Sequence, residues 1–243
     1  MILILCMAGI YRRFREAGYD RPKYLLPWDH ATVLDAVMDG LLHDGAFTGA
    51  ILIANQRDES WAESIRTVMD RHAIPPQHLL FTTDTAGQAD TGLIGIDGLE
   101  RLSVPADRPI VFHNVDTVLL NRDWHAVAAS LAVDDGWIDT FDADSAAYSY
   151  VAVDAAMRVT AIAEKVAISR LATSGLYGFA DANAYRAACV RSLADRGERY
   201  ISGVYRTMLQ DGACLRAGRP GPSTDTLILG TPAEYEAARL EHR

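Results

Sequence analysis

The sequence of 243 residues is poor in lysine, has only three cysteines and lacks a long apolar run. Its two lysines, Lys23 and Lys165, stand against 21 arginines. Lysine carries a compact ammonium, whereas the guanidinium of arginine is a planar fork. Each lysine lies in a segment that follows a strand-like run, and we interpret both as contacts for phosphate groups. The alternative is that an arginine-rich composition leaves two lysines by chance.

Other absences restrict the class of protein. No apolar run approaches the roughly 20 residues that a membrane span needs. The apolar segment 2–7 is too short for a signal peptide and lacks a basic start, so we expect a buried strand there. The cysteines at 6, 189 and 214 are odd in number and lack the spacing of a metal site, which favours reduced thiols in the cytoplasm. Without a Gly/Ser- or Pro-rich linker or an internal repeat, residues 1–243 are expected to form a single domain.

The charge distribution argues for a local anion site. The formal net charge is −9 and the pI is about 5.2, which disfavours non-specific binding to nucleic acid. Residues 12–23 nevertheless hold five cations, and these are Arg12, Arg13, Arg15, Arg21 and Lys23. Positive charge concentrated beside a glycine-containing loop of an acidic chain is typical of anion binding. A solvated basic turn is the alternative.

Strand-like and helix-like segments alternate in the first half of the chain. Apolar runs predict strands at 1–7, 50–54, 79–82 and 109–114. Helical periodicity predicts helices at 31–43, 58–72 and 87–98, the last of them capped by Asp84 or Thr85. This alternation predicts an α/β fold with a doubly wound, mixed and mostly parallel sheet that carries helices on both faces.

The second half has a different pattern. Segments 137–141, 148–153 and 159–163 alternate as half-exposed strands do, with a turn at 154–157. A further strand is predicted at 175–179, and helices near 181–195 and 200–211. We therefore expect antiparallel strands and helices appended to the first half, so that residues 1–135 and 136–243 share one sheet and one cleft.

Short motifs follow one another in a fixed order along nearly the whole chain. They begin with a glycine-containing turn and Arg-Arg-Phe at 7–14 and with Pro-Lys-Tyr-Leu-Leu-Pro at 22–27, and they continue at 85–91, 113–116, 163–165, 174–179, 200–205 and 229–232. Each motif alone is weak, but in this order they resemble the small, single-domain sugar-phosphate nucleotidylyltransferases, which often serve surface-polysaccharide pathways. The resemblance implies a Rossmann-like (GT-A-like) domain whose antiparallel extension binds a phosphorylated acceptor.

The residues of the first half suggest a nucleotide site. A turn after the first strand, at the carboxyl edge of a parallel sheet, is where nucleotides bind. Backbone N–H groups near Ala8 and Gly9 can meet the base and the phosphates. Arg13 can fork onto the β- and γ-phosphates, and Lys23 offers a point charge nearer the α-phosphorus. Asp116, at the tip of a strand, is predicted to hold Mg²⁺. The alternatives are a surface salt bridge for the arginine and a strand-end cap for the aspartate.

The resemblance assigns the remaining site residues. It implies that Gly87 contacts the base edge through its backbone. It also implies that Glu164 holds hydroxyls of the acceptor and that Lys165 holds its phosphate, while Gly175 and Tyr177 line the acceptor pocket. Adjacent residues of a strand point to opposite faces, so the glutamate and the lysine reach one ligand only if the strand bends or ends there. A helix-start glycine at 87, a solvated glutamate and a core tyrosine at 177 are the alternatives.

The chain departs from the family pattern near the expected phosphate and metal positions. Tyr11 replaces the second glycine of the turn, so the loop needs another source of curvature. Ile228 stands where the family commonly has an aspartate as second metal ligand, and Asp225 is near but out of register. Val166 replaces a frequent proline. Either Asp116, phosphates and water hold the Mg²⁺, or activity has been lost.

The predicted activity is transfer of a nucleoside monophosphate from an NTP to a phosphorylated acceptor, by default a sugar 1-phosphate, with release of pyrophosphate. A cytidylyltransferase acting on a non-sugar phosphate and a non-catalytic nucleotide-binding module are the alternatives. A glycosyltransferase is a further rival, because Asp142 and Asp144 form an Asp-x-Asp pattern, although in a predicted turn. The expected partners are small molecules, not nucleic acid or membrane, and the sequence leaves a homo-oligomer open.

Overall fold

A nine-stranded sheet carrying helices on both faces forms the centre of the protein. The computed structural model describes residues 1–105, 107–192 and 199–241. The strands are β1 (Ile2–Met7), β2 (Pro27–Trp28), β3 (Ala31–Thr32), β4 (Gly49–Asn55), β5 (Leu79–Thr82), β6 (Ile110–Asn114), β7 (Thr117–Leu119), β8 (Gly136–Asp142), β9 (Ser149–Val153), β10 (Val159–Glu164), β11 (Leu171–Phe179), β12 (Leu215–Ala217) and β13 (Thr226–Ile228). The α-helices are α1 (Arg12–Glu16), α2 (Val33–Leu42), α3 (Ala62–Arg71), α4 (Gln88–Arg101), α5 (Trp124–Leu131), α6 (Ala182–Arg191), α7 (Ile201–Gln210) and α8 (Pro232–Glu241).

The order of the strands creates a crevice beside β1. The sheet runs β10-β9-β11-β6-β1-β4-β5, and β8 pairs with β11 and with β12. β1 is parallel to β4 and to β6, and β4 is parallel to β5. The chain moves outward from β1 through β4 to β5 and then crosses back to β6 on the other side of β1. In an open α/β sheet, ligands bind at such a switch point, outside the carboxyl ends of the strands.

The second half joins the same sheet through β11. This strand is antiparallel to β6, β8 and β9, and β9 is antiparallel to β10. The parallel pairing of β12 with β8 is the exception in this region. The predicted fold class is therefore confirmed, with a mostly parallel first half and a largely antiparallel extension.

Alternation along the buried strands builds a core on each face of the sheet. On β1, Leu3 and Leu5 join one apolar cluster, together with side chains of α2, α3 and α5. Ile2 and Ile4 point to the other face, where side chains of α4, α6 and α7 form the second cluster. Successive side chains of a strand point to opposite faces, so a run that is apolar at every position needs helices on both sides.

Several elements differ from the sequence predictions. The helix predicted at 58–72 begins as a 3-10 turn at Gln56–Trp61 and becomes α-helical only at α3. β11 starts four residues before the predicted strand, and α5 and α8 have no predicted counterpart. The helix predicted near 181–195 ends at Arg191, and positions 193–195 lie outside the described residues. None of the described helices is long and apolar enough to cross a bilayer.

A buried ion pair attaches the small β7–β13 sheet to the main sheet. The Arg122 guanidinium donates to both carboxylate oxygens of Asp139 on β8, at 2.9 and 3.0 Å. It also donates to the Thr226 hydroxyl on β13 at 2.7 Å. The Asp139 side chain is only 3% exposed. This contact fixes the strand pair that connects Asp116 with the segment after β13.

Candidate active site

A cleft of about 700 Å³ opens at the carboxyl ends of β1 and β6, within the range typical of small-molecule sites. The predicted site residues that line it are Ala8, Gly9, Arg13, Lys23, Gly87, Asp116, Glu164, Gly175 and Tyr177. They come from both halves of the chain, as the expectation of one shared cleft requires. Lys165 is not among the lining residues, although its neighbour Glu164 is.

The turn after β1 obtains its curvature from Tyr11 itself. This residue has φ 39° and ψ 42°, the left-handed conformation that a glycine adopts without steric cost. Its hydroxyl donates to Asp58 at 2.5 Å, and Arg15 donates to the same hydroxyl at 3.1 Å. These contacts hold a conformation that disfavours a side chain by about 1–2 kcal/mol. A Cβ atom at Gly9 would meet no atom of the described residues within 4 Å, so the absent side chain leaves the cleft open rather than relieving packing.

Arg13 and Lys23 bring positive charge to the cleft in two different ways. The Arg13 side chain is exposed, and no described residue forms an ion pair or hydrogen bond with its guanidinium. Lys23 begins a 3-10 turn whose next residue, Tyr24, is fully buried and donates to Asp58 at 2.9 Å. This anchor directs the lysine inward, where its Nζ lies 2.5 Å from Oδ2 of Asp116.

The ion pair between Lys23 and Asp116 controls the charge of that carboxyl group. The two side chains are only 18% and 19% exposed. Burial alone would raise the pKa of Asp116, but the neighbouring ammonium outweighs burial and holds the pKa below its ordinary value. His113, one residue before the end of β6, is fully buried, and burial lowers its pKa, which favours the neutral ring.

Gly87 stands at the start of α4 against the backbone of Arg199. Its φ is 153°, and an added Cβ atom would lie less than 3 Å from three backbone atoms of Arg199. The same backbone bonds to both sides of the glycine, from Arg199 N to Ala86 O at 2.8 Å and from Ala89 N to Arg199 O at 3.0 Å. Gly87 is itself the N-cap of the helix, without a side-chain cap. The predicted cap at Asp84 or Thr85 is therefore wrong, because the backbone turn puts Gly87 at the N-cap position.

Glu164 and Lys165 can reach one ligand only if the strand bends or ends there, and the structure meets this condition. β10 ends at Glu164, and Lys165 follows with a left-handed φ of 56°. Lys165 Nζ lies 2.6 Å from the hydroxyl of Tyr200, which lines the cleft. The lysine therefore lies at the rim of the cleft, while the glutamate points into it.

Two serines that the sequence analysis did not single out hold the Glu164 carboxylate. Ser149 lies directly opposite Glu164 in the β9–β10 pair and donates to its Oε2. Ser202, on α7, donates to the same oxygen at 2.7 Å. The segment 200–205 belongs to the motif series, so Tyr200 and Ser202 had a signal in the sequence. Ser149 had only its place in a predicted strand.

Gly175 and Tyr177 lie where β11 departs from regular pairing with β8, between Thr173 and Tyr177. A Cβ atom at Gly175 would overlap the side chain of Asn114 at the end of β6. The Tyr177 ring is 4% exposed, and its hydroxyl lies 2.8 Å from that of Thr173. Burial raises the pKa of Tyr177 to about 12. The tyrosine thus belongs to the core and forms the cleft wall at the same time.

The aspartates that the sequence analysis considered as further metal ligands lie outside the cleft. Ile228 lines the cleft beside Asp116, since β13 pairs Ile228 with Thr117. Asp225 is buried outside the cleft and accepts a hydrogen bond from Asn121 at 2.9 Å. Asp142 and Asp144 lie away from the cleft, and both pair with Arg170. The Asp-x-Asp pattern at 142–144 therefore gains no support as a metal motif of this cleft.

The residues around Asp116 are compatible with Mg²⁺. Among the described residues, no group of three or more His, Cys, Asp or Glu side chains could enclose a metal ion. Mg²⁺ is usually bound by one or two carboxylates together with waters and substrate phosphates. In the structure the ammonium of Lys23 occupies the cation position at Oδ2 of Asp116. A carboxylate that already pairs with a cation in an open cleft suits such a site.

Comparison with solved structures identifies proteins of the same fold. The chain matches the nucleoside-diphosphate-sugar pyrophosphorylase from Vibrio cholerae with a TM-score of 0.87 and 26% sequence identity, over 99% of this chain and 100% of that chain. A protein from Bacillus anthracis described as a glucose-1-phosphate thymidylyltransferase, in complex with a sucrose, gives a TM-score of 0.78 at 15% identity, over 100% and 96% of the two chains. The inositol-1-phosphate CTP transferase from T. maritima gives 0.71 at 14%, over 96% and 90%. No protein-family model and no curated protein matches the sequence.

These neighbours agree with the motif series. The two more distant ones share the fold, whereas the Vibrio cholerae protein also shares about a quarter of its residues over the full length of both chains. All three carry names from one class of enzyme. The resemblance predicted from the sequence is confirmed: over nearly its whole length the chain has the fold of the sugar-phosphate nucleotidyltransferases.

Proposed function

We propose that the protein transfers a nucleoside monophosphate from an NTP to a sugar 1-phosphate and releases pyrophosphate. One observation carries the proposal: a single cleft joins the cations Arg13 and Lys23 of the first half to the anchored Glu164 carboxylate of the second half. Cations suit a triphosphate, and a fixed carboxylate suits the hydroxyls of a sugar. The neighbours named above act on substrates of this kind and support the assignment.

The nucleotide binds on the β1 side of the cleft in this proposal. The backbone at Ala8 and Gly9 approaches the base and phosphates, and Gly87 forms a low wall against the base edge. The guanidinium of Arg13, with which no described residue pairs, contacts the β- and γ-phosphates. Lys23 turns from Asp116 to the α-phosphate, where its charge offsets the charge that develops during transfer. Asp116 holds Mg²⁺, which when bound neutralises and orients the phosphate oxygens.

The acceptor binds on the β10 side. Glu164, fixed by Ser149 and Ser202, accepts hydrogen bonds from sugar hydroxyls. Lys165 leaves the Tyr200 hydroxyl to pair with the acceptor phosphate. Gly175 keeps the wall between the two substrates thin, and Tyr177 limits the depth of the pocket.

The chemistry needs no general base. An oxygen of the acceptor phosphate is already anionic and attacks the α-phosphorus in line. A new P–O bond forms, the bond from the α-phosphorus to the α,β-bridging oxygen breaks, and pyrophosphate leaves with that electron pair. The protein contributes position and charge stabilisation, which together account for catalysis in reactions of this type.

Two wider assignments complete the proposal. Residues 1–243 act as a single domain, with a nucleotide-binding half at 1–135 and an acceptor-binding half at 136–243. The product is a nucleotide-activated sugar for polysaccharide synthesis, made in the cytoplasm. The free thiols of Cys6, Cys189 and Cys214 support a reducing compartment.

Pyrophosphate release tests the activity. The purified protein is incubated with Mg²⁺ and each common NTP, crossed with a panel of sugar 1-phosphates and of non-sugar phosphates. We expect release for one class of NTP only when a sugar 1-phosphate is present, with the nucleotide-sugar identified by mass spectrometry. Release with non-sugar phosphates alone would correct the acceptor. Nucleotide binding without release from any pair would contradict the activity and favour a binding module.

Matched variants test the roles of the cations. Arg13→Ala or Lys23→Met should lower turnover by about 10²–10³, the usual effect of removing one charged donor. Arg12→Ala removes a neighbouring arginine that pairs with Glu16 at 3.5 Å and does not line the cleft, so its turnover should stay near that of the unmodified protein. Equal turnover in all three variants would refute the assigned roles.

A further inference from the structure

The cleft lacks a carboxylate where β13 reaches it. Ile228 ends β13 beside Asp116 and lines the cleft with an apolar side chain. We propose that Glu234, from the first turn of α8, supplies the second carboxylate for a divalent cation at Asp116. The inference rests on the proposed function in that both use the same cation position.

The geometry around Gly230 brings the two carboxylates to one space. A Cβ atom at Gly230 would lie 3.3 Å from Oδ2 of Asp116 and 3.6 Å from Oε2 of Glu234. Both oxygens therefore border the volume that the missing side chain leaves open. The segment is also fixed to the strand end, since Leu229 N donates to Asp116 O at 2.7 Å. We call this open space beside Gly230 the cradle, and a short loop and one helical turn form it.

A helix-capping role does not account for the direction of Glu234. Thr231 accepts from the Glu234 backbone N–H at 3.2 Å, as the first half of a capping box. In the second half the glutamate side chain would bond back to the Thr231 N–H, and this contact is not formed. Throughout the described ranges 1–105, 107–192 and 199–241, no hydrogen bond or ion pair involves the Glu234 carboxylate. Within those ranges the half-buried carboxylate has no hydrogen-bond or ion-pair partner.

A neighbouring glutamate on the same helix shows the contrast. Glu236 accepts from the Tyr19 hydroxyl at 2.6 Å and lies 3.5 Å from Arg239. It does not line the cleft, whereas Glu234 does. The helix therefore satisfies one acidic side chain within the protein and directs the other towards Asp116.

The charges favour a cation at this point. Two carboxylates face one ammonium, that of Lys23 on Asp116, which leaves a net negative charge in the cradle. Mg²⁺ prefers carboxylate oxygens and keeps several of its waters. Glu234 can therefore act as a direct ligand or through one water, and in either case it provides the charge that Ile228 does not.

Binding of Mn²⁺, followed by the EPR signal of the free ion, tests the inference without an activity assay. The full-length protein is titrated with Mn²⁺ alone, in parallel with Glu234→Gln, Asp116→Asn and Glu236→Gln. We expect Glu234→Gln and Asp116→Asn each to weaken Mn²⁺ binding about tenfold or more. Glu236→Gln, which removes the same charge from the same helix, should bind as the unmodified protein does. Circular dichroism checks that every variant is folded.

A rescue variant tests whether carboxylates at positions 228 and 234 can bind the same cation. Adding Ile228→Asp to Glu234→Gln should restore most of the Mn²⁺ affinity. Unchanged affinity in Glu234→Gln, an equal loss in Glu236→Gln, a failed rescue or no Mn²⁺ binding by the unmodified protein would overturn the inference. Pyrophosphate release by the unmodified protein is measured separately. If release occurs while Glu234→Gln keeps full Mn²⁺ affinity, the inference fails and the proposed function stands.

Discussion

The pair between Lys23 and Asp116 makes a prediction that needs no substrate. Replacing the lysine with methionine keeps most of the apolar stem and removes the ammonium, so Asp116 is left without its cation. Breaking a fully buried pair costs about 3–5 kcal/mol, and breaking an exposed one costs less than about 1 kcal/mol. With side chains 18% and 19% exposed, we expect Lys23→Met to lower the free energy of unfolding by about 2–3 kcal/mol at pH 7. That loss corresponds to a fall in Tm of about 4–12 °C.

The pH dependence of this loss has a definite sign. In the unmodified protein the pKa of Asp116 is below its ordinary value, so the stabilisation is complete above the unfolded pKa of about 3.9 and is lost as pH falls through the folded pKa. In Lys23→Met the ammonium no longer opposes burial, which is the largest influence on Asp116 and raises the pKa of the carboxyl. The destabilisation that the unpaired carboxylate causes in the variant therefore disappears as Asp116 takes up a proton. The difference between the two proteins should be largest near pH 7 and should shrink as the solution is acidified.

Urea unfolding at a series of pH values measures the difference, with the fluorescence of the four tryptophans as the signal. The double variant Lys23→Met with Asp116→Asn serves as control, because it removes both charges and should recover much of the stability at pH 7. A difference that stays constant down to pH 4 and below would refute the assignment to Asp116. So would a difference smaller than about 0.5 kcal/mol at pH 7, because surface substitutions have effects of that size.

Further predictions concern the acceptor side, the base wall and the sheet attachment. Ser202→Ala should raise KM for the acceptor about tenfold in steady-state kinetics and leave KM for the NTP unchanged, because Glu164 loses a charge-assisted hydrogen bond. Gly87→Ala should lower the free energy of unfolding by about 1–3 kcal/mol in urea, because the new Cβ meets a facing backbone; an unchanged midpoint would contradict this. Arg122→Ala should cost about 3–5 kcal/mol in the same assay, because it leaves Asp139 charged and buried, and a loss below 1 kcal/mol would show that the pair is dispensable.

The parallel half of the fold is predictable because its strands are short apolar runs between polar turns. The predicted strands agree with β1, β4, β5 and β6 to within one residue at each end. The alanine-rich α5 has no clear helical periodicity, and its cap is a single contact, in which the Ala126 N–H donates to the Asp123 carboxylate at 2.9 Å. Local patterns therefore find buried strands more readily than weakly amphipathic helices.

The candidate site is predictable as a set of residues but not as a set of contacts. Lys23 and Asp116 are separated by 93 positions, and their direct pairing depends on how β6 ends beside the turn after β1. The hydrogen bond from Ser149 to Glu164 depends on the register of β9 with β10. Glu234 looks like an ordinary first-turn acid in the sequence. Only the loop at Gly230 turns it towards the cleft.

Asp58 contacts both of the segments that bring cations to the cleft. Its carboxylate is 1% exposed and accepts hydrogen bonds from the hydroxyls of Tyr11 and Tyr24. The segments that carry Arg13 and Lys23 are thus both hydrogen-bonded to one buried aspartate on the connection after β4. The distance between the Arg13 guanidinium and the Lys23 ammonium therefore depends on a side chain that does not line the cleft. A displacement of that connection would move both cations together.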